Sequence, residues 1–213
     1  MKKDCKLFLY ITLAFCLMIV PCKNICAADQ GWYSQNGKVF YQMDEEKAKG
    51  LVTIKGSPFY FDPNTGERLS GWRRVKGKLY YFGKNGAALT GKQKIGKYQY
   101  YFSRNGVLQK DTLIQRTYYA GKRGQLASGW IHYGVNDYYF DPVTFRMYTG
   151  WREIKGKHYY FNAYGQLVKG RMVGKTWYVN ESGERQYGWV DEGTKRYYLD
   201  PDTGKAAKNG WYV

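Results

Sequence analysis

Past residue 28 the chain contains no cysteine, because Cys5, Cys16, Cys22 and Cys26 all precede it. A mature form beginning at Asp29 therefore has no disulfide framework, no thiol nucleophile and no thiolate metal site. Histidine is nearly as scarce: His132 and His158 stand alone, and two imidazoles without cysteine partners do not make a zinc site. Acidic residues number 17 against 34 basic ones. The only acidic clusters, Asp44-Glu45-Glu46 and Asp191-Glu192, read as solvated turns, and no separate fold is present to hold an acid and a base across a cleft. The stretch Asp200-Pro201-Asp202-Thr203-Gly204 lacks the further ligands and terminal Glu of a calcium loop. The expectation is a chain without catalytic residues, metal or cofactor.

Long apolar runs are missing as well. Leu7 to Val20 is the longest, and its fourteen mostly apolar residues fall short of the ~20 that span a bilayer. Preceded by Lys2, Lys3 and Lys6 and followed by Cys26-Ala27-Ala28 with small residues at the cleavage positions, it reads as a signal peptide over residues 1–28, with no transmembrane anchor. Phe15 before Cys16 and Pro21 before Cys22 exclude a lipoprotein signal, which needs a small residue there. Removing residues 1–28 takes away four lysines and one aspartate, so the formal charge falls from +17 to +14. That excess favours an anionic partner or a soluble face.

What the chain has in abundance is one unit, seen in "GWREIKGKHYYFNAYGQLVKG" from 150 to 170. Starting glycines recur at 31, 50, 71, 91, 129, 150, 170, 188 and 210, with Asp111 at the one vacant position. Residues 29–213 thus form a single repeat domain of nine units of ~20 residues plus a partial tenth, the signature of a solenoid in which no unit buries its apolar face alone. Each unit reads as a β-hairpin: a short strand, a turn such as Lys-Gly-Lys, an aromatic strand, then a closing turn such as "DPNTG". The units beginning at Asp111 and Gly170 are short, and the deletion is placed in the first turn.

Alternation along the aromatic strand separates two sets. Phe59/Phe61, Tyr80/Phe82, Tyr100/Phe102, Tyr138/Phe140, Tyr159/Phe161, Trp177/Val179 and Tyr197/Leu199 are expected to face the interior. The other set pairs a variable slot (Val39, Pro58, Leu79, Gln99, Thr117, Asp137, His158, Thr176, Arg196), expected to be wet, with a tyrosine in all nine units. Those tyrosines either seal the seam between hairpins or line a shallow aromatic groove, and a seam left partly open is a groove.

Gly-Trp starts at Trp32, Trp72, Trp130, Trp151, Trp189 and Trp211, in register with nine aromatic runs, resemble the cell-wall-binding repeats of Gram-positive bacteria, which include choline-binding and glucan-binding types. The resemblance covers residues 31–213. It implies an all-β solenoid of stacked β-hairpins wound into a left-handed superhelix, with ligands held between neighbouring hairpins. In the choline-binding type a second tryptophan stands where this chain has its variable slot, and none of the nine occupants is tryptophan. The missing ring removes ~0.5 to 2 kcal/mol of cation–π attraction, and the remaining Gly-Lys-variable-Tyr-Tyr-Phe pattern is closer to the glucan-binding type.

The expected function is that of an exported module, retained at the bacterial surface, that binds a cell-wall polymer: teichoic acid, choline-bearing or not, or a glucan. Nucleic acid is not an expected partner, and a wall-active enzyme beside it is. An extracellular glucan-binding protein and a spacer stalk without glycan binding are the alternatives. The expected ligand-binding residues are Trp32 with Tyr41, Trp72 with Tyr81, Tyr101, Trp130 with Tyr139, Trp151 with Tyr160, Tyr178, and Trp189 with Tyr198. The best site is expected between the sixth and seventh units, with Trp130 and Tyr139 facing Tyr160, and Trp151 opening the next groove toward Tyr178.

Overall fold

The computed structural model describes residues 30–207. The signal peptide read at 1–28 and the partial tenth unit with Trp211 lie outside them. Within this range the chain is all-β, and its backbone folds into nine antiparallel hairpins with no helix. Seven are long: Gly31–Gln35 with Lys38–Met43, Gly50–Ile54 with Ser57–Phe61, Gly71–Val75 with Lys78–Phe82, Gly91–Ile95 with Tyr98–Phe102, Gly129–Tyr133 with Asn136–Phe140, Gly150–Ile154 with Lys157–Phe161, and Gly188–Glu192 with Lys195–Leu199. The fifth (Thr112–Ile114 with Tyr118–Ala120) and the eighth (Arg171–Val173 with Trp177–Val179) are shorter.

The hairpin turns follow from their residues. At Lys55-Gly56 and Lys155-Gly156 both central residues have positive φ, 48° and 80° in the first and 51° and 76° in the second. That is the type I′ turn whose twist matches paired strands. In the two short units the ladder opens one residue later than the glycine spacing implies, pairing Thr112 with Ala120 and Arg171 with Val179. Their loops have three residues (115–117 and 174–176) against two in the long hairpins such as Gly50–Ile54 with Ser57–Phe61, so the shortening falls in the strands and not, as expected, in the first turn. Asp111 nonetheless keeps the left-handed backbone of the glycines it replaces, with φ 45°, a conformation that aspartate tolerates.

A two-stranded hairpin is at best marginally stable in water, and here each one uses both of its faces. Phe61, Phe82, Phe102, Phe140, Phe161, Val179 and Leu199 are the most deeply buried side chains. They do not line a separate interior. The Tyr100–Phe102–Leu108 core of the fourth hairpin packs against Trp72, Leu79 and Tyr81 of the third. Ile154–Tyr159–Phe161 of the seventh meets Tyr139 of the sixth, and Val168–Val173–Val179 of the eighth meets Trp151 and Tyr160 of the seventh. The tyrosine face of one unit thus covers the Tyr/Phe face of the next, and the core is a series of such junctions.

A backbone clip repeats at these junctions. In the third to ninth units the closing segment donates one N–H to the strand of the unit before and the next to its own aromatic strand. Leu89 bonds Tyr81 O while Ala88 bonds Pro58 O, both at 2.8 Å. The same reach links Leu108 to Leu79, Leu126 to Gln99, Met147 to Thr117, Leu167 to Asp137, Arg185 to His158 and Ala206 to Thr176, at 2.7 to 2.8 Å. Every acceptor is the carbonyl of a variable-slot residue. The slot is therefore constrained through its backbone and not through its side chain, which explains why Pro58, Asp137 and His158 are all tolerated. It is also less wet than its composition implies: eight of the nine occupants are half-buried and only Arg196 is exposed.

Close approach of successive units sets a demand on the closing turns. Gly106 has φ 74°, and a Cβ there would lie 2.6 Å from the Ala88 Cβ of the preceding unit. Gly106→Ala is expected to cost about 1–3 kcal/mol through backbone strain and the clash. Gly96→Ala, left-handed but in open space, should cost less. Urea denaturation of both variants checks this, and equal midpoints would contradict the junction packing.

Candidate functional site: the aromatic junctions

The residue paired across the hairpin with the repeating tyrosine is Trp32, Leu51, Trp72, Lys92, Leu113, Trp130, Trp151, Met172 and Trp189 in the nine units. Cross-strand neighbours share a face, so each tryptophan meets its own tyrosine. The ring centroids are 5.0 Å apart for Trp32–Tyr41, 5.1 Å for Trp72–Tyr81, 5.2 Å for Trp130–Tyr139, 5.3 Å for Trp151–Tyr160 and 5.0 Å for Trp189–Tyr198. Tyr101 and Tyr178 have Lys92 and Met172 opposite them instead of an indole.

The partner from the following hairpin differs from the expected one. Trp130 lies 5.0 Å from Tyr159 in an edge-on contact and 5.8 Å from Phe161. It does not face Tyr160, whose ring belongs to the next junction with Trp151. Likewise Trp151 meets Trp177 at 5.5 Å, where Tyr178 was expected. Trp72 meets Tyr100 and Phe102, and Trp32 meets Phe59 and Phe61, at 4.9 to 5.9 Å. The reason is the alternation itself: stacking brings the tyrosine face of one unit onto the opposite face of the next. Tyr100, Tyr159 and Trp177, assigned to an interior, are thus groove walls. Their position in the aromatic run was visible in sequence, whereas the order of stacking was not.

Between the sixth and seventh hairpins a cleft of about 300 Å³ is lined by Trp130, Asp137, Tyr159, Leu167, Lys169 and Ser182. Trp130 is 43% exposed there although it makes T-shaped contacts with both Tyr139 and Tyr159. Tyr139 stacks on Tyr148 at 5.1 Å, and the Tyr148 hydroxyl donates to Asp141 Oδ2 at 3.0 Å. Burial first, and that carboxylate second, raise the Tyr148 pKa. Tyr159 donates its hydroxyl to Glu184 Oε1 at 3.3 Å, and Lys157 holds the same carboxylate at 2.7 Å. These hydroxyl bonds fix ring planes in the wall of the cleft.

Asp137, the slot residue at this junction, is ion-paired with Lys169 and lies 2.7 Å from His132 Nδ1. A larger cavity, about 600 Å³, opens between the fourth and fifth hairpins, where the fifth is short. Tyr101, Arg104, Gln109 and Gln115 line it, and the Tyr101 hydroxyl is 3.5 Å from Gln115 Oε1. Its walls mix amide and hydroxyl groups with Phe102, Leu113 and Ile114 and include no indole. In the closing turns Asp62, Asp141 and Asp200 accept the N–H groups two and three residues on, at 2.6 to 3.2 Å. Asp200 of the "DPDTG" stretch is therefore committed to its own turn. Among the described residues no group of three histidines and acids gathers as metal ligands.

Stacked hairpins whose junctions are built from tryptophan and tyrosine define a repeat array. The family model of the cell wall binding repeat matches residues 70–88 and 149–167. Two segments of the chain, in the third and the seventh units, thus match the cell wall binding repeat. Choline binding protein F from Streptococcus pneumoniae is similar in structure, with a TM-score of 0.63 and 29% identity over 74% of this chain and 57% of that one. A second structure of that protein, in the presence of a peptidoglycan analogue, a tetrasaccharide-pentapeptide, matches with a TM-score of 0.61 and 29% identity over 74% and 58%. The modular autolysin LytC from Streptococcus pneumoniae shares the fold, with a TM-score of 0.55 and 19% identity over 84% of this chain and 46% of that one. The chain thus spans less than three-fifths of the length of these proteins. No curated protein matches the sequence.

The cleft predicts a titration. Asp137 has its pKa lowered, first by the hydrogen bond from Lys169 and then by that from His132. With the folded value depressed, the stabilisation is present above the unfolded value of ~3.9 and is lost as pH falls through the lower folded one. In a carboxyl-carbon NMR titration the Asp137 midpoint should lie below that of a free aspartate, and Lys169→Ala should raise it. A midpoint that the variant leaves in place would contradict the pairing.

Proposed function

We propose that the chain is an exported, non-catalytic module that binds a cell-wall polymer non-covalently, taking a ring or cationic head group of the polymer at the junction of the sixth and seventh hairpins. One observation carries this reading: Trp130, 43% exposed, presents its indole at a 300 Å³ cleft while T-shaped contacts with Tyr139 and Tyr159 hold it in place. Aromatic faces held in this way attract quaternary ammonium groups and stack on sugar rings. The similar proteins support it, since one is named for choline binding and was studied with a peptidoglycan analogue.

The polymer proposed is a teichoic acid, because 34 basic residues against 17 acidic ones favour an anionic chain. Weak single contacts repeated along such a polymer gain through effective concentration, by about 10²-fold or more. The signal-peptide reading of residues 1–28 puts the module outside the cell, held at its surface. A wall-active enzyme acting beside it is the partner that this arrangement serves.

Retention on purified walls tests the proposal. Trp130→Ala combined with Tyr139→Ala should lower retention by roughly two- to thirty-fold per lost ring contact, whereas Lys155→Ala in an exposed turn should not. Retention should fall as salt rises and should drop on walls stripped of teichoic acid, since exposed charges are screened over about 8 Å at physiological ionic strength. Equal retention on stripped walls, or preference for α-glucan at every salt concentration, would favour a neutral glycan. A double variant that is folded by circular dichroism and retained like the parent would reduce the cleft to a seam.

A further inference from the structure

Lys92 is the one ion among the nine residues that face the repeating tyrosine. Its ammonium stands where five of the other units place an indole. Trp72 meets Tyr100 of the next hairpin at 5.2 Å and Trp130 meets Tyr159 at 5.0 Å. In the same relation, Lys92 Nζ lies 5.2 Å from the ring centroid of Tyr118.

A second ring completes the seat. Phe145, from the closing turn of the sixth unit, has its centroid 5.3 Å from Lys92 Nζ, and the adjacent Thr144 carbonyl accepts a hydrogen bond from it at 2.9 Å. Both ring distances lie within the ~6 Å range of cation–π attraction. Phe145 holds φ at 63°, at the place where Gly66, Gly106, Gly165 and Gly204 end the corresponding turns. A bulky side chain in the left-handed region is strained, and here the strain delivers a ring to an ammonium that comes from a strand 53 residues earlier. No carboxylate of the described residues is within ion-pair distance of Lys92, so the rings and one carbonyl are its partners.

The theme recurs three units away in each direction. Arg68 lies 5.8 Å over Trp32 and donates to Asn85 O at 2.7 Å. Arg185 lies 5.7 Å over Trp151 and donates to the Tyr187 hydroxyl at 2.7 Å. At the junction of the sixth and seventh hairpins Arg152 lies 5.3 Å over Tyr148, but beside Trp130 the corresponding residue of the closing segment is Leu167, and the nearby Lys169 is held by Asp137.

We propose that Lys92 is a built-in occupant of a cation seat. Its ammonium fills the aromatic cradle between the fourth and fifth hairpins and bars a quaternary ammonium or other cationic head group from it, while the junction of the sixth and seventh units stays accessible. Lys92 is then a specificity-determining residue that sets which junctions of the array take a cation. The inference rests on the reading of these junctions as binding grooves.

Two measurements test it, with tetramethylammonium as the probe. In the parent protein the Lys92 ε-methylene protons should be shifted upfield by the Tyr118 and Phe145 ring currents relative to those of the exposed Lys155. In calorimetric titration Lys92→Ala should take up one more tetramethylammonium per chain than the parent, and Lys92→Arg should match the parent. Unshifted ε-protons, or a folded Lys92→Ala variant that gains no site, would overturn the proposal. Should Lys92→Ala fail to fold, Phe145→Gly decides, because it relieves the turn and should move the Lys92 signal back downfield. An unmoved signal there would be equally fatal. Ring-shifted protons in a parent that walls do not retain would count against the wall-binding reading alone, and retention without the shift against this one alone.

Discussion

A two-stranded hairpin of about twenty residues has two faces and no core of its own, and this constraint organises the rest of the molecule. Each face must be covered by a neighbour, so the tyrosine face of one unit lies on the Tyr/Phe face of the next. From the third unit onward a backbone bond from the closing segment to the carbonyl of the preceding slot residue helps to hold the spacing. Side chains must supply the remainder. Large flat rings do so with few rotatable bonds, and edge-on pairs add about 0.5 to 1.5 kcal/mol beyond their buried area. The same rings that close a junction present their free faces where a junction gapes, so stability and recognition draw on one set of residues.

Much of this was legible in the chain. The nine units, their hairpin character and the pairing of each tryptophan with its own tyrosine follow from a repeat of ~20 residues and a strand period of two. What was not legible is the order in which faces meet. Tyr159 and Tyr160 are adjacent in sequence and point to opposite sides, and only the stacking of the seventh hairpin on the sixth decides which one Trp130 touches. The slot misled for a related reason. Its tolerance of Pro58, Asp137 and His158 looked like solvation, whereas the structure shows a position constrained through its carbonyl, with side chains half-buried beside the groove. The Trp130–Tyr159 cleft also needed Lys169 and Ser182, and neither carries a motif.

The junctions are alike in backbone and unlike in chemistry. Beside Leu167 the Trp130 indole stays open, whereas Trp72, with Leu108 in the same place, is half-buried. Where the tyrosine faces Leu51, Leu113 or Met172, an aliphatic side chain replaces the indole. Where Lys92, Arg68 or Arg185 intervenes, the chain sets its own cation on the rings. The aliphatic class recurs at every third unit, with Leu51, Leu113 and Met172, whereas cations also lie over Trp189 and Tyr148. An array of this kind separates its contact points along a polymer without changing its scaffold.

The central claim is that a cationic or ring-bearing group enters the array between the sixth and seventh hairpins. The most direct measurement is of nuclear Overhauser contacts between tetramethylammonium methyl protons and aromatic ring protons in the intact protein. The account predicts contacts to Trp130, Tyr139 and Tyr159. Contacts confined to the exposed ring of Tyr164, away from these junctions, would contradict it.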